Sequence, residues 1–438
     1  MIVALCFAFF FELGDLNTFS YAAPGLTKYA GFGISEVSHI TSAGFFGMFA
    51  GAAVGGWLSD RLGRRRALVY AIVWYSVFSL ANALVPATEV PILLARVLTG
   101  MGLSAMTVTA ITYLAEVFPA DKRGRYQALT LGIGLLGIPV TSWVAKFVVP
   151  LGPEGWRFVF VFGALGILFL VLFRPLPESP RWLEDNGRHD EAAAAVERVA
   201  GMSGVEVQPG DLSVADEEGA DDATQAGGRT GGLRNVWRAP YVRRTAMLWI
   251  TWAFQTVGFY GFVAWVPELL LKHGFSLLES VTWAAVISLG NIPGAFIAYP
   301  ISDRFGRKWS IVGVSVAIAV CGVLYGFAFN TATIAVFGFL VTLFIQAFAA
   351  LLYAYTPEQY RTEIRNAGSG LAYGVGRLAN VVGPLIIGAI FAGLGYLPVF
   401  VFIAICWLVC ALTVGALGPR TERRSLEVVS EERRSAKP

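Results

Sequence analysis

Charge is scarce in this 438-residue chain. Asp, Glu, Lys and Arg make up 14% of it, while 56% is hydrophobic and the mean hydropathy is +0.62. A soluble domain carries about 25% charged and about 45–50% apolar residues, so the balance excludes a large water-soluble core. Histidine is scarcer still: His39, His189 and His273 lie far apart, in loops or at helix ends. No Ser-His-Asp, metal or nucleotide constellation can be built from them, which argues against an enzyme and against any bound cofactor. The four cysteines (Cys6, Cys321, Cys406, Cys410) fall in apolar segments without metal-ligand spacing, so neither zinc nor a disulfide framework is expected. A formal net charge of +3 is too small to indicate a nucleic-acid partner. Residues 1–11 are apolar but lack a basic n-region and a small-residue cleavage site, so they read as the start of a membrane helix. Glycine-rich strings such as GIGLLG follow no strand pattern and read as helix-packing features, not phosphate loops.

What the chain has in abundance is apolar sequence in windows of bilayer length, roughly 20 residues each. Twelve spans are expected, at 2–27, 38–58, 67–86, 90–115, 126–149, 156–174, 244–270, 278–301, 309–329, 332–356, 366–394 and 396–417. Basic residues gather after alternate spans: Arg61, Arg64, Arg65 and Arg66, then Lys122, Arg123 and Arg125, then Arg304, Arg307 and Lys308, then Arg361 and Arg365. The positive-inside rule places those loops, both termini and the long central loop in the cytoplasm. The expectation is a monomeric multi-pass protein of the cell membrane, surrounded by lipid. The membrane expected is a bacterial inner membrane; the excess of arginine over lysine matches a bacterium with a GC-rich genome, though nothing rests on it.

Composition divides the chain into a first half (1–175), a central loop (176–243), a second half (244–417) and a tail (418–438). Within the loop, the alanine-rich, charged residues 184–200 predict a short surface helix. Residues 201–232 and the tail, rich in Gly and charge, predict disorder.

The two halves are similar to each other. SDRLGRRR at 59–66 recurs as SDRFGRK at 302–308, so Asp60 maps to Asp303, 243 residues on. Arg123 maps to Arg365, and Gly132 and Gly134 to Gly374 and Gly376, each 242 residues on. Two parallel six-helix repeats place a site at mid-membrane between them.

The string G-x-L-S-D-R-x-G-R-R, at Gly56, Leu58, Asp60, Arg61, Gly63, Arg64 and Arg65, resembles the loop signature of the major facilitator superfamily. Arg96, Gly100 and Gly102 in RVLTGMG resemble its fourth-helix motif. PESPRWL (177–183) is similar to the sugar porter branch and its organic-ion and synaptic-vesicle-glycoprotein relatives. The resemblance covers both halves and implies an all-α integral membrane protein with twelve transmembrane helices in two pseudo-symmetric six-helix bundles. It also implies a gate at the cytoplasmic side. Asp60 at a helix end can pair with arginine or meet a helix N-terminus, and contacts among Asp60, Arg61, Arg64, Arg96, Glu116, Arg123, Asp303, Arg304, Arg307, Glu358 and Arg365 can form in one state and break in another. The alternative for Arg65 and Arg66 is that they merely set topology.

Within the membrane, Glu12 and Asp15 stand three residues apart in FFFELGDLNTF. Ionisable residues in this position are costly and usually functional, and a close carboxylate pair holding one proton is a natural proton carrier. The alternative is that Glu12 lies near an interface and is solvated. The pair is similar to the acidic pair D-G-x-D of the aromatic acid:proton symporters, with the glycine displaced by one position, and Pro24 further on fits the same pattern. Arg377, in GVGRLANVVGP, lies twelve residues beyond Arg365 and hence near mid-membrane. Its repeat-mate is Leu135, so the halves differ there in charge. Such an arginine can hold a carboxylate by two parallel hydrogen bonds or form a structural ion pair with Glu12 or Asp15. Asn380, Gln255, Gln346 and Asn291 are neutral candidates for substrate contact or helix ties, and Phe19 is a candidate for ring stacking. Glucose-type porters carry a double glutamine in the seventh helix and Pro-Trp in the tenth. Here the seventh has one glutamine, Gln255, and the tenth no tryptophan. PESPRWL therefore marks lineage, not sugar specificity.

Three functions are compatible with these residues. One is proton-driven import of a small organic solute, an aromatic or other carboxylate by preference. A second is a facilitator or exporter of a sugar or of a neutral or cationic metabolite. The third is a receptor that keeps the fold without transport. The proton gradient would be the only driving force needed for the first.

Overall fold

The computed structural model describes residues 1–118, 120–203, 236–237, 241–328, 330–360 and 362–419. Regular structure among the described residues is helical throughout. Eleven helices are long and apolar enough to cross a membrane, and the shorter apolar helix Arg157–Phe173 completes a set of twelve spans. Spans 1 to 6 are Ile2–Ala30, Ile34–Leu62, Arg64–Leu84, Glu89–Val117, Gly124–Leu151 and Arg157–Phe173; spans 7 to 12 begin at Val242, Leu277, Arg307, Thr331, Thr362 and Tyr396. The helices run a few residues past the apolar windows at most ends, because charged residues such as Asp60 and Arg64 continue or start a helix once the chain leaves the membrane.

Helix pairings repeat between the halves. Span 1 packs along span 5 as span 7 packs along span 11, and span 3 along span 6 as span 9 along span 12. Spans 2 and 4 are matched by spans 8 and 10. The glycine correspondence read from the sequence has its structural counterpart here. A Cβ at Gly134 would lie 2.8 Å from Phe9 Cβ, and one at Gly376 3.0 Å from Thr256 Oγ1 and 3.2 Å from Trp252. Phe9 and Trp252 are themselves 243 residues apart.

Spans 2 and 4 make the tightest approach in the first half. Gly47, Gly51 and Gly55, one per turn of span 2, lie against Val97, Met101 and Ala105 of span 4. A Cβ at Gly51 would sit 2.2 Å from the Met101 carbonyl oxygen. With no water to drive helices together in lipid, such small-residue contacts supply the packing. Gly51→Val should cost about 1–3 kcal/mol through overpacking, read as a lower melting temperature of the purified protein in detergent. An unchanged melting temperature would show that the helices separate freely.

Two spans are interrupted. Span 1 ends one helix at Leu16 and starts another at Thr18, with Asn17 between them. Span 7 ends at Val263 and resumes as Val266–Lys272, with Pro267 in its first turn. Discontinuous helices free backbone groups at membrane depth and are tolerated where protein or a cavity takes them up.

The halves meet chiefly at the end away from the basic loops. There Thr27 Oγ1 donates to Glu268 Oε1 (2.7 Å), Ser38 Oγ to the Pro384 carbonyl (2.8 Å) and Ser42 Oγ to the Val381 carbonyl. Ser142 and Ser288 share a hydrogen bond of 2.7 Å.

The central loop differs from the single surface helix expected at 184–200. Pro180–Asp185 and His189–Ser203 form two helices. Ser179 caps the first by accepting from the Trp182 N–H, and Gly187, at φ 72°, turns the chain between them. Residues 201–203, expected to be disordered, continue the second helix. The rest of that segment and the tail beyond 419 lie outside the described residues.

Candidate functional site

The interruption of span 1 organises the centre of the molecule. Glu12 and Asp15 are both buried, at 3% and 0% exposure, but they face different neighbours. Residues three apart on a helix are offset by about 60°, and that angle separates them.

Asp15 points into the first half. Its Oδ1 accepts from Ser79 Oγ of span 3 (2.6 Å) and from Thr18 Oγ1 (3.2 Å), while Oδ2 has no partner. Room for it comes from span 6, where a Cβ at Gly163 would lie 2.1 Å from Oδ1. Arg96, from span 4, donates to Thr18 Oγ1 (3.2 Å) and to the Leu16 carbonyl (3.4 Å), a group exposed by the helix break. Its charge acts on Asp15. The Arg96 guanidinium also lies 6.0 Å from the ring centre of Phe19. Arg96 therefore lies beside Asp15 and the central cavity, the alternative to a gating role that its place at the far end of span 4 from Glu116 left open in the sequence.

Glu12 points to the interface between the halves. Its Oε1 accepts from Thr107 Oγ1 of span 4 (2.8 Å), and Oε2 is unpartnered. Arg377 of span 11 acts on it through charge, without a direct ion pair, and donates to Ser104 Oγ of span 4 at 2.5 Å. Tyr260 of span 7 and Tyr353 of span 10 feel both the Glu12 and the Arg377 charge. Tyr353 is 57% exposed although it lies at this depth, so the site is not closed off by packed protein on that side. Tyr353 packs with Trp252 and Tyr373, with ring centres 5.0 and 5.4 Å away. Tyr260 meets Phe45 edge-on at 4.7 Å. A small cavity lies alongside, lined by Asn17, Phe19, Phe45, Arg96 and Tyr260 among others, and so drawing on both halves.

The neutral candidates are spread around this centre. Gln255, the repeat-mate of Glu12, donates to Thr256 (2.6 Å), and Gln346 is buried beside Gly294. Asn291 donates to the Ser288 carbonyl (2.8 Å), lines a second small cavity with Tyr21 and Phe262, and leaves its Oδ1 unpartnered. The buried Oδ1 of Asn380 is unpartnered too.

At the basic end, Arg64 joins Asp60 (2.8 Å) and Glu116 (2.9 Å). Ser179 of PESPRWL donates to Glu116 (2.6 Å), and Trp182 Nε1 to the Asp60 carbonyl (2.7 Å). In the second half Arg307 pairs with Glu358. These ion pairs each stay within one half. Arg61 lies over Trp57 and Arg304 over Phe305, while Asp303 is exposed. Arg365 lies at the same end, and the Arg123 side chain falls outside the described residues.

Sequence reasoning missed Ser79, Ser104, Thr107, Tyr353 and Gly163. Hydroxyl residues on apolar helices carry no pattern that separates a site ligand from one bonded to its own helix. Tyr353 had a usable signal, as an aromatic with a polar tip in an otherwise apolar stretch from Phe348 to Ala354.

Two bundles of six helices that enclose a buried arginine and two carboxylates at mid-depth define a membrane solute transporter with the major facilitator fold. Residues 4–432 match the sugar (and other) transporter family, and the chain belongs to it. It is 40% identical over 427 residues to the putative metabolite transport protein YyaJ of Bacillus subtilis, covering 97% of this chain and 93% of that one. It is 31% identical over 422 residues to the niacin transporter NiaP of Acinetobacter baylyi, covering 96% and 93%. Its fold is similar to that of the xylose transporter XylE from E. coli in a partially occluded inward open conformation, with TM-score 0.77 at 18% identity over 96% of this chain and 99% of that one.

Proposed function

We propose that the protein imports a small organic carboxylate, aromatic by preference, together with a proton. It would do so by alternating access, as a monomer in the cell membrane with its basic loops and both termini in the cytoplasm. The observation that carries this reading is Arg377. Among the described residues it makes one side-chain hydrogen bond, to Ser104, while a guanidinium offers five N–H donors. It stands at the junction of the halves among Tyr260, Tyr353 and Phe45, which suits a planar ring bearing a carboxylate. The likeness to a niacin transporter supports the same class, since niacin is an aromatic carboxylate.

Asp15 is the proton site on this reading. Its free Oδ2 can take the proton, and Arg96 and Thr18 sense its charge at the helix break. Glu12 faces the substrate and shares the task. Asn380, Asn291, Gln255, Gln346 and Phe19 complete the substrate surroundings. The Asp60–Arg64–Glu116 and Arg307–Glu358 networks, with Arg61, Arg123, Asp303, Arg304 and Arg365, brace each half and seal the cytoplasmic side in the alternate state.

The test is uptake into proteoliposomes. An inward proton gradient should drive accumulation of niacin or benzoate, and should leave xylose and an organic amine near their equilibrium levels. Accumulation of the amine or the sugar without the carboxylates would favour a carrier of neutral or cationic metabolites.

A further inference from the structure

The contact between Thr27 and Glu268 is unlike the other bonds that join the halves. The others named above join serine hydroxyls to carbonyls, to one another or, at the centre, to Arg377, whereas this one buries a carboxyl group. Glu268 lies on Val266–Lys272, the short helix that continues span 7, and its exposure is 0%. Its helix neighbours Val266, Leu269 and Leu270 are also nearly inaccessible. Oε1 accepts one hydrogen bond, from Thr27 across the interface, and Oε2 has none. Neither Asp15 nor Glu12 is near it in the chain, and the transport scheme above makes no use of it.

Among the described residues no charged or titratable group on the neighbouring elements forms an ion pair with it, and His273, at the end of the same helix, stacks on Tyr396 with ring centres 4.0 Å apart. Lys272, one turn along the same helix, is exposed and makes no ion pair with it, so its influence is screened by solvent. On span 1, Lys28 lies 5.3 Å from the ring centre of Tyr29, and Tyr21 is buried toward Ser142. On span 8, Glu279 is engaged by the Ser276 cap at 2.7–2.9 Å.

An isolated carboxylate anion with one hydrogen bond is very costly to bury, whereas a neutral carboxyl leaves only one hydroxyl unpaired. We infer that Glu268 is a second proton-binding site: its carboxylate takes up a proton from the external solution when the outer ends of the halves close, and releases it to the same solution when they part. In balance, one aqueous proton adds to one carboxylate oxygen on closure, and that O–H bond breaks on opening. Because the site meets only the outer solution, its proton is not carried across. It leaves the coupling ratio unchanged and makes outer closure depend on external pH, with acid favouring the closed state. The word "external" rests on the sidedness proposed above; the proton-linked closure does not.

The experiment measures closure without substrate. Spin labels at Leu151 and Leu394, exposed positions near the ends of spans 5 and 11, report the separation of the halves in lipid nanodiscs across pH 5 to 9. Wild type should shift from closed toward open as pH rises, by up to about tenfold in the population ratio per pH unit for one linked proton. Glu268→Gln, which keeps the Thr27 bond without a titrating proton, should stay closed and lose the pH dependence. Thr27→Val should open at lower pH than wild type. A Glu268→Gln variant that follows pH as steeply as wild type would overturn the assignment. Labelling the same two positions in intact cells with an impermeant thiol reagent reports sidedness separately. No outcome depends on which solute is carried.

Discussion

Asp15→Asn should abolish proton-driven accumulation while leaving exchange of substrate across the membrane measurable. A gradient of one pH unit stores about 1.4 kcal/mol per proton, enough for about tenfold accumulation by a one-proton carrier, and the variant should fall to a ratio of one. The amide keeps an oxygen for Ser79 and Thr18, the two groups that hold Oδ1 at 2.6 and 3.2 Å, and it fits the space left by Gly163. The loss would therefore be one of coupling, not of folding, and an unchanged melting temperature should accompany it. What the amide cannot do is alternate between neutral and anionic forms beside Arg96. If the variant still accumulates substrate, the proton is carried elsewhere, and Glu12→Gln becomes the decisive variant because its Oε2 is the other unpartnered carboxylate oxygen at the centre.

Arg377→Lys should weaken carboxylate binding by at least about tenfold. Removing the charge altogether, as in Arg377→Gln, should cost on the order of a hundredfold, since losing one partner of a buried, hydrogen-bonded charge pair costs roughly 2–5 kcal/mol. Lysine keeps the positive charge but replaces a planar fork by a single point of donation. A comparison of two ligands isolates the effect: affinity for niacin should fall, while affinity for its uncharged amide should change little. Ligand-induced thermal stabilisation reads both, because a ligand that binds only the folded state raises its apparent stability. Equal affinity of wild type and variant for niacin would remove Arg377 from the substrate site.

The architecture was legible because its signals are redundant. A bilayer imposes one length scale on every span, so the window 396–417 coincides with the helix Tyr396–Leu417. The repeat of SDRLGRRR as SDRFGRK needed no structure to reveal two halves. The site was legible only as a set of residue types. Glu12, Asp15 and Arg377 stand out because charge in an apolar run is rare, but their partners are set by rotation about helix axes and by helix crossings. Two carboxylates one turn apart read as a single pair, yet one faces spans 3 and 6 and the other faces span 11. The break at Asn17 was hidden, since an asparagine followed by a threonine in an apolar run is no stronger a stop signal than many that helices tolerate. Glu268 had the same kind of signal as Glu12, a carboxylate inside a predicted span.

The serine contacts at the end away from the basic loops bear on how fast such a molecule can work. Ser38, Ser42 and the Ser142–Ser288 pair reach neutral oxygens, and a neutral hydrogen bond contributes only about 0.5–1.5 kcal/mol net. A seal built from a few of these is worth several kcal/mol at most, the same size as the binding energy of a small metabolite. Closing with strong ion pairs would have trapped one state as a deep well. Closing with neutral hydrogen bonds avoids such a well at these contacts, so that the binding of a small solute is of a size to matter there.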